Sequence, residues 1–267
     1  MLALVVQEAD NTEKMINGNG DTHGLVPNLS VDCVIFGFDF DRLNVLLIER
    51  NLPEPGKNNI PQRRHALPGN LIGIDEPLDD SARRVLKELT NLDDLYLEQF
   101  HTFGSPNRVK REYDRQWLMA TRPDPDVRVI TVAYYSLVKL GDYHPTPSSF
   151  ARSAVWWPVS EVPELAFDHN SILSKALSYL RNKLATRPIG FELLPRKFTF
   201  GQLQRVYETI LGIDFDKRNF RRKILNMDVL IPLDEKQKGV PHKPARLYMF
   251  NEDRYRHLLE QDLAFQV

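Results

Sequence analysis

Cysteine is almost absent from this chain, with a single thiol, Cys33, among 267 residues. An intramolecular disulfide is therefore excluded, and because Cys33 lies in an alternating apolar run, a buried and inert thiol is expected. Long hydrophobic runs are lacking too, and no stretch approaches the roughly 20 apolar residues that a membrane span needs. The apolar start, residues 1–6, is followed at once by Glu8 and Asp10 and has no basic segment before it, so it lacks the form of a signal peptide. The reading is of a soluble, cytoplasmic protein with no membrane partner. Nor does either sign of charge prevail: 35 basic and 36 acidic residues leave a formal net charge of −1. Any nucleic-acid site must then come from uneven distribution of charge along the chain. There are no internal repeats.

The length allows two ordinary domains, each with its own core. Residues 1–28, Asn/Gly-rich and without period over most of their length, read as a mobile arm. Residues 31–38 and 43–48 are β-rich runs joined by a turn that holds Asp39, Asp41 and Arg42, which predicts a hairpin. A Pro/Gly/Asn-rich loop, 51–64, leads to a helix in which Leu78, Ala82, Val85, Leu86 and Leu89 recur at helical spacing, so this helix packs on a sheet. Pro77 suits its first turn, and Asp79 and Asp80 favour the positive end of its dipole. Strands are expected over 95–103 and 127–138, with a charged and aromatic insert between them. In that insert Val109, Tyr113 and Trp117 are spaced by four, as in a short amphipathic helix. Trp156-Trp157-Pro158 starts another strand. Asn170 or Ser171 caps a helix whose face is Ile172, Leu173, Ala176, Leu177, Leu180 and Leu184, closing the first domain.

Residues 68–92, PGNLIGIDEPLDDSARRVLKELTNL, resemble the Nudix box of metal-dependent pyrophosphohydrolases: Gly, five residues, Glu, seven residues, then Arg-Glu-apolar-any-Glu-Glu-any-Gly-apolar. Glu76, Arg84, Leu86, Glu88 and Leu92 match. Asn70 stands for the first Gly, Val85 for the Glu after the arginine, Leu89 for the second of the paired glutamates and Asn91 for the closing Gly. Magnesium demands near-octahedral oxygen coordination, so a hydrolase supplies several carboxylates from one helix face. Val85 and Leu89, four apart on one face, are apolar, and Glu88 with the distant Glu76 makes a poor cage. Glu88 reads as a surface charge or a partner of Arg84. No catalytic residue, metal site or cofactor is assigned, and the expectation is a non-catalytic domain that keeps its pocket.

The remaining chain, 187–267, reads as a small second domain with lopsided charge. Thr199 with Gln202 forms a capping-box pair before Leu203, Val206, Tyr207, Ile210 and Leu211, and Gly212 stops that helix. Asp216 caps a second helix, 217–227, in which Phe220, Ile224 and Met227 share one side while Arg218 and Arg222 point opposite, flanked by Asn219 and Arg221. Residues 229–232 and 245–250 are expected to pair as a hairpin around a lysine-bearing loop. From 217 to 246 nine bases (Lys217, Arg218, Arg221, Arg222, Lys223, Lys236, Lys238, Lys243, Arg246) face three acids, a surplus of six in a chain of net −1. Such segregation is the electrostatic footprint of phosphate-backbone binding, and a capped two-helix unit followed by a basic hairpin reads as a winged helix. Arg suits guanine and Asn suits adenine in a major groove. The candidate DNA-binding residues are Lys217, Arg218, Asn219, Arg221, Arg222, Lys223, Lys238, Lys243 and Arg246.

In order along the chain, Leu67-Pro68-Gly69, Thr102-Phe103-Gly104, Val129-Ile130-Thr131-Val132-Ala133-Tyr134, Leu165-Ala166-Phe167-Asp168-His169, Asp216 to Lys223 and Pro244-Ala245-Arg246-Leu247-Tyr248 resemble the NrtR-like family of Nudix-related transcriptional regulators. The resemblance implies an α+β protein: an N-terminal Nudix-like α/β/α sandwich with a mixed sheet over 29–186, sensing an effector, and a C-terminal winged helix-turn-helix over 187–267, binding double-stranded operator DNA. It further implies a homodimer on a palindromic site. Many members answer to ADP-ribose or NAD. This chain looks more like the arabinose-responsive (AraR) branch of gut bacteria, which implies a repressor of a sugar-utilisation operon with L-arabinose as effector. Candidate effector residues, able to hold sugar hydroxyls against an aromatic wall, are Arg64, His65, Asn70, Asp75, Glu76 and Trp117. The alternatives are a regulator of NAD metabolism sensing ADP-ribose or NAD, a hydrolase of ADP-ribose-like diphosphates and an RNA-associated adaptor.

Overall fold

The computed structural model describes residues 25–50, 65–109, 114, 118, 119, 124, 125, 127–147, 151–241 and 243–260. Most of the expected N-terminal arm, the 51–64 loop with Arg64, and the part of the insert that holds Tyr113 and Trp117 lie outside the described residues.

The sheet is organised by one long strand, β1 (Leu25–Phe38), which begins inside the stretch expected as an arm. It turns into β2 (Leu43–Arg50) as the hairpin predicted, with Phe38 opposite Leu43. The turn forms because the Asp39 carboxylate accepts the backbone N–H groups of Asp41 and Arg42 at 3.0 and 2.8 Å, a local bond that Asp offers readily. The short β3 (His65–Ala66) pairs with β2, and β4 (Gly69–Gly73) pairs with the first half of β1, a strand that the loop-like Gly content of 69–73 did not suggest. Two later strands are shorter than or shifted from expectation, β5 (Glu98–Phe103) and β6 (Ile130–Lys139). β6 runs parallel to β1 over ten register pairs while the other pairings of the sheet, β5 with β6 among them, are antiparallel, so the sheet is mixed. β7 (Ala151–Pro158) ends, rather than starts, at Trp156-Trp157-Pro158, and pairs with β2.

Two helices cover the two faces. α1 (Leu78–Thr90) is the box helix, and its Ala82, Val85, Leu86 and Leu89 are buried against Val31, Cys33, Ile35, Leu46 and Ile48. Each such apolar side chain contributes about 1.5–3 kcal/mol by leaving water. Pro77 stands just before the first turn, and Asn91 at the end takes a left-handed φ of 56°. Asn tolerates that conformation, which accounts for an Asn where the box has Gly. α2 (His169–Thr186) covers the opposite face with Ile172, Leu173, Ala176, Leu180 and Leu184. Its N-cap is Asp168, not Asn170 or Ser171: the Asn170 amide turns back to accept Leu165 N–H at 2.8 Å and to donate to the Pro163 carbonyl at 3.2 Å.

The core under α2 continues without a break through Phe191, Leu193 and Leu194 into a second unit. There β8 (Phe198–Thr199), α3 (Phe200–Leu211), α4 (Lys217–Asn226), β9 (Leu230–Lys236) and β10 (Arg246–Phe250) are followed by α5 (Glu252–Glu260), a helix not anticipated. The three strands form one antiparallel sheet in the order β8-β10-β9. The fold is therefore a Nudix-like α/β/α sandwich joined to a winged helix, as the sequence implied. Among the described residues no helix is long and apolar enough to cross a membrane.

Candidate nucleic-acid interface and effector cleft

The two-helix unit is built by the local signals read in the sequence. Gln202 N–H donates to Thr199 Oγ1 at 3.2 Å while the Gln202 side chain accepts Thr199 N–H at 2.8 Å, closing the capping box that starts α3. Gly212 ends it at φ 72°, a left-handed conformation that favours glycine. Asp216 accepts Asn219 N–H at 2.9 Å and starts α4. Phe220 and Ile224 are buried, with Phe220 set among the rings of Phe200, Tyr207 and Phe215. That anchoring turns Lys217, Arg218, Asn219, Arg222 and Lys223 to solvent.

The nine candidate DNA residues are not equivalent. Arg221 is tied down: its guanidinium donates to Tyr248 Oη at 2.8 Å and lies 5.0 Å from the Phe200 ring centre, clamping α4 to β10. Arg246 donates to the Leu233 carbonyl at 2.7 Å and pairs with Asp234 at 3.3 Å, bracing the β9–β10 hairpin. Arg222 donates to Asn219 Oδ1 at 3.1 Å. Lys238 and Lys243 are exposed near Gly239, in the wing between the two strands.

At the box, Glu76 is saturated. Arg84 grips both its oxygens, Nε to Oε1 at 2.8 Å and Nη2 to Oε2 at 2.8 Å, while Ser81 Oγ and Gly73 N–H also donate to it. Arg84 in turn donates to Glu88 at 3.1 Å, the partnership expected for Glu88. The Arg84 hydrogen bonds hold the Glu76 carboxyl down at about 2, against an ordinary 4.5. A depressed carboxyl stabilises the fold in full above the unfolded value and loses that contribution as pH falls through the folded one. Urea midpoints of the wild type are thus expected to fall between pH 4.5 and 2 by more than those of Arg84→Ala, and equal acid limbs would refute the pairing. Asp75 is exposed in the preceding turn, and Asn70 accepts Leu71 N–H on β4 at 2.9 Å. His65, half-buried on β3, meets the Trp157 ring edge-on at 5.1 Å, and burial lowers its pKa. Among the described residues no three His, Cys, Asp or Glu side chains converge in a way that could hold a metal ion.

Sequence reasoning missed a buried ionic cluster behind β4. Arg108, only 3% exposed, donates to Asp32 at 3.3 Å and doubly to Asp168 at 3.1 and 2.9 Å. His169 lies 3.5 Å from Asp32 and accepts Leu67 N–H on its Nδ1 at 3.0 Å. Burial lowers the His169 pKa, with Asp32 opposing, so the ring is an acceptor here. For Arg108 burial works against the charge, but Asp32 and Asp168 outweigh it and the pKa is raised. Gly69 allows this packing, since a Cβ there would stand 1.9 Å from Asp32 Oδ1. The cluster joins β1, the start of the insert and the head of α2. Its one sequence signal was a lone carboxylate, Asp32, in a run of strand residues. Cys33, beside it, is buried, and burial pushes its thiol pKa well up, the inert state expected.

Residues 190–250 match the model of the NrtR DNA-binding winged helix domain. Over 229 residues the chain is 32% identical to the "ADPR responsive transcriptional repressor NtrR" of Acinetobacter baylyi, covering 84% of this chain and 82% of that one. Among solved structures it is similar to Shewanella oneidensis NrtR in complex with a 27mer DNA, with a TM-score of 0.59 and 28% identity over 85% of this chain and 95% of that one. A MutT/nudix family protein from Enterococcus faecalis shares the fold at 23% identity, with a TM-score of 0.60 over 91% of this chain and 93% of that one. A capped recognition helix, a basic wing and a box-bearing sandwich, matched across both units by these relatives, make one assignment: the chain belongs to the NrtR-like family of Nudix-related, winged-helix transcriptional regulators.

Proposed function

We propose that the protein is a DNA-binding transcriptional repressor controlled by ADP-ribose or a closely related dinucleotide, with residues 29–186 as sensor and 187–267 as reader. The observation that carries the reading is the solvent-facing cationic side of α4, set on a buried Phe220–Ile224 base, in a chain similar over 84% of its length to a repressor named for its response to ADPR. Lys217, Arg218 and Arg222 meet the DNA, Lys238 and Lys243 add phosphate contacts from the wing, and Arg221 and Arg246 hold the surface in shape. Two copies reading a palindrome would present two such helices.

Of the candidate effector residues, Asn70 and Asp75 lie on β4 and in the β4–α1 connection, where the proposed sensor site would be. Catalysis is disfavoured because Val85 and Leu89 are core residues and Glu76 is occupied by Arg84, Ser81 and Gly73. L-arabinose control of a sugar operon, implied by the branch resemblance, has no support from the relatives. What favours it is one corner, where His65 and Trp157 offer an aromatic wall close to Glu49, which pairs with His65 in the sheet. Since a ligand shifts an equilibrium only through unequal affinity for its two states, effector control requires two arrangements of α2 against the reader. The contacts available to change are Arg205 to the Phe40 carbonyl at 3.1 Å and Arg181 to the Ile210 carbonyl at 2.9 Å.

Thermal melting with ADP-ribose, NAD or L-arabinose separates these readings. ADP-ribose at about 100 times its Kd adds about 2.7 kcal/mol to the folded state, which raises Tm by about 5 °C or more. It should also change the salt-matched affinity for DNA upstream of the gene. A shift with L-arabinose alone would establish the sugar reading, and rapid magnesium-dependent turnover of ADP-ribose would make the protein an enzyme.

A further inference from the structure

The outward side of α4 carries two side chains that hold each other. Arg222 Nη2 donates to Asn219 Oδ1 at 3.1 Å, both residues are exposed, and the bond runs one turn back along the helix. Helical side chains lean toward the N-terminus, so this places the guanidinium over the first turn, the part of a recognition helix that reaches base edges. The pairing has a chemical consequence. An asparagine that reads adenine needs its carbonyl for the N6 amino group and its NH2 for N7. Here the carbonyl is turned to the guanidinium, so the outward groups of the pair are N–H donors: the Asn219 amide NH2 and the remaining guanidinium hydrogens. Guanine presents two acceptors, N7 and O6, in the major groove, whereas adenine and cytosine each present an amino group that such a surface repels.

The neighbouring cation cannot substitute. Arg221, one residue away, is drawn toward β10 by Tyr248 Oη at 2.8 Å and by the Phe200 ring. We infer that Arg222 and Asn219 act as one donor-only unit that reads a guanine in each half-site, Arg222 making the base contacts and Asn219 serving as its positioning residue. This rests on the DNA-binding reading above and adds the base and the division of labour.

Selection from a random duplex library by the full chain, at fixed salt, tests it with wild type, Arg222→Ala, Asn219→Ala and Asn219→Asp. The wild type is expected to select one G·C pair per half-site at which A·T costs about tenfold. Arg222→Ala abolishes the preference at that pair and leaves the others. Asn219→Ala weakens it, and Asn219→Asp, which keeps an acceptor for the guanidinium but has no donor, retains it. Replacing that guanine by 7-deazaguanine reproduces the loss. Adenine selected in its place, with the preference lost in Asn219→Ala and kept in Arg222→Ala, overturns the inference. So does a uniform loss across all sequences in Arg222→Ala, the mark of a phosphate contact. A wild type that selects no sequence at all defeats the DNA-binding reading itself, and the inference with it.

Discussion

Replacing Arg108 by Met should lower the unfolding free energy by about 3–5 kcal/mol, read as a shift in urea midpoint at pH 7. The size follows from burial. The guanidinium is 3% exposed and the Asp32 carboxylate 7%, so removing the cation leaves Asp32 a buried charge faced only by the His169 ring, and Asp168, 18% exposed, loses its double hydrogen bond. An exposed pair such as Lys197 with Glu235 is worth at most about 1 kcal/mol because water screens it. The double variant Arg108→Met/Asp32→Asn separates charge from lost packing. If uncompensated charge dominates, the second substitution recovers part of the deficit, and the two changes are strongly non-additive. Additive losses, or a deficit below 1 kcal/mol, would mean that the site is wet and the cluster incidental. Because the cluster ties the head of α2 to β1, the same variant should weaken effector-dependent control of DNA affinity.

What the sequence disclosed and what it hid follow one physical division. Signals carried within a few residues were legible: the Thr199–Gln202 capping box, the Asp216 cap, Gly212 in a left-handed stop, the Asp39 turn and the 3.6-residue stripe of α1 are each satisfied by neighbours in the chain. Partnerships across the fold were not. Arg108 meets Asp168 and Asp32 at separations of 60 and 76 residues, and nothing local ties Arg108 to either carboxylate. The same limit applies to the basic residues of the reader. Their sign and density pointed to phosphate, yet only the fold reveals that Arg221 and Arg246 spend their donors on Tyr248 and the Leu233 carbonyl. β4 was hidden because Gly69 and Gly73 look like loop residues, although Gly69 is glycine to let Asp32 approach. Glu76, a candidate effector residue in the sequence, matches the box. Its match reflects a structural bond to Arg84, eight residues on.

Phe220→Ala should cost about 3–5 kcal/mol and remove DNA binding, a second effect of comparable size with a different spatial reach. Phe220 is 2% exposed, and its ring lies 5.0 Å from that of Phe215 and 5.8 Å from those of Phe200 and Tyr207. All three neighbours belong to the reader, so hydrogen exchange should quicken across α3, α4 and the three-stranded sheet while β1 and β6 stay protected. Leu225→Ala, at an exposed position on the same helix, should stay within about 0.5 kcal/mol of wild type, which ties the Phe220→Ala cost to lost burial. Leu180→Ala provides the contrast. α2 packs on β1 and β5 on one side and on α3 on the other, within one continuous apolar cluster. A cavity in its face should therefore quicken exchange in both units together. If Phe220→Ala instead loosened β1 as much as α4, the two units would be a single cooperative body. α2 could not then shift against the reader, and control of DNA binding would have to pass between the two copies of a dimer rather than along this helix.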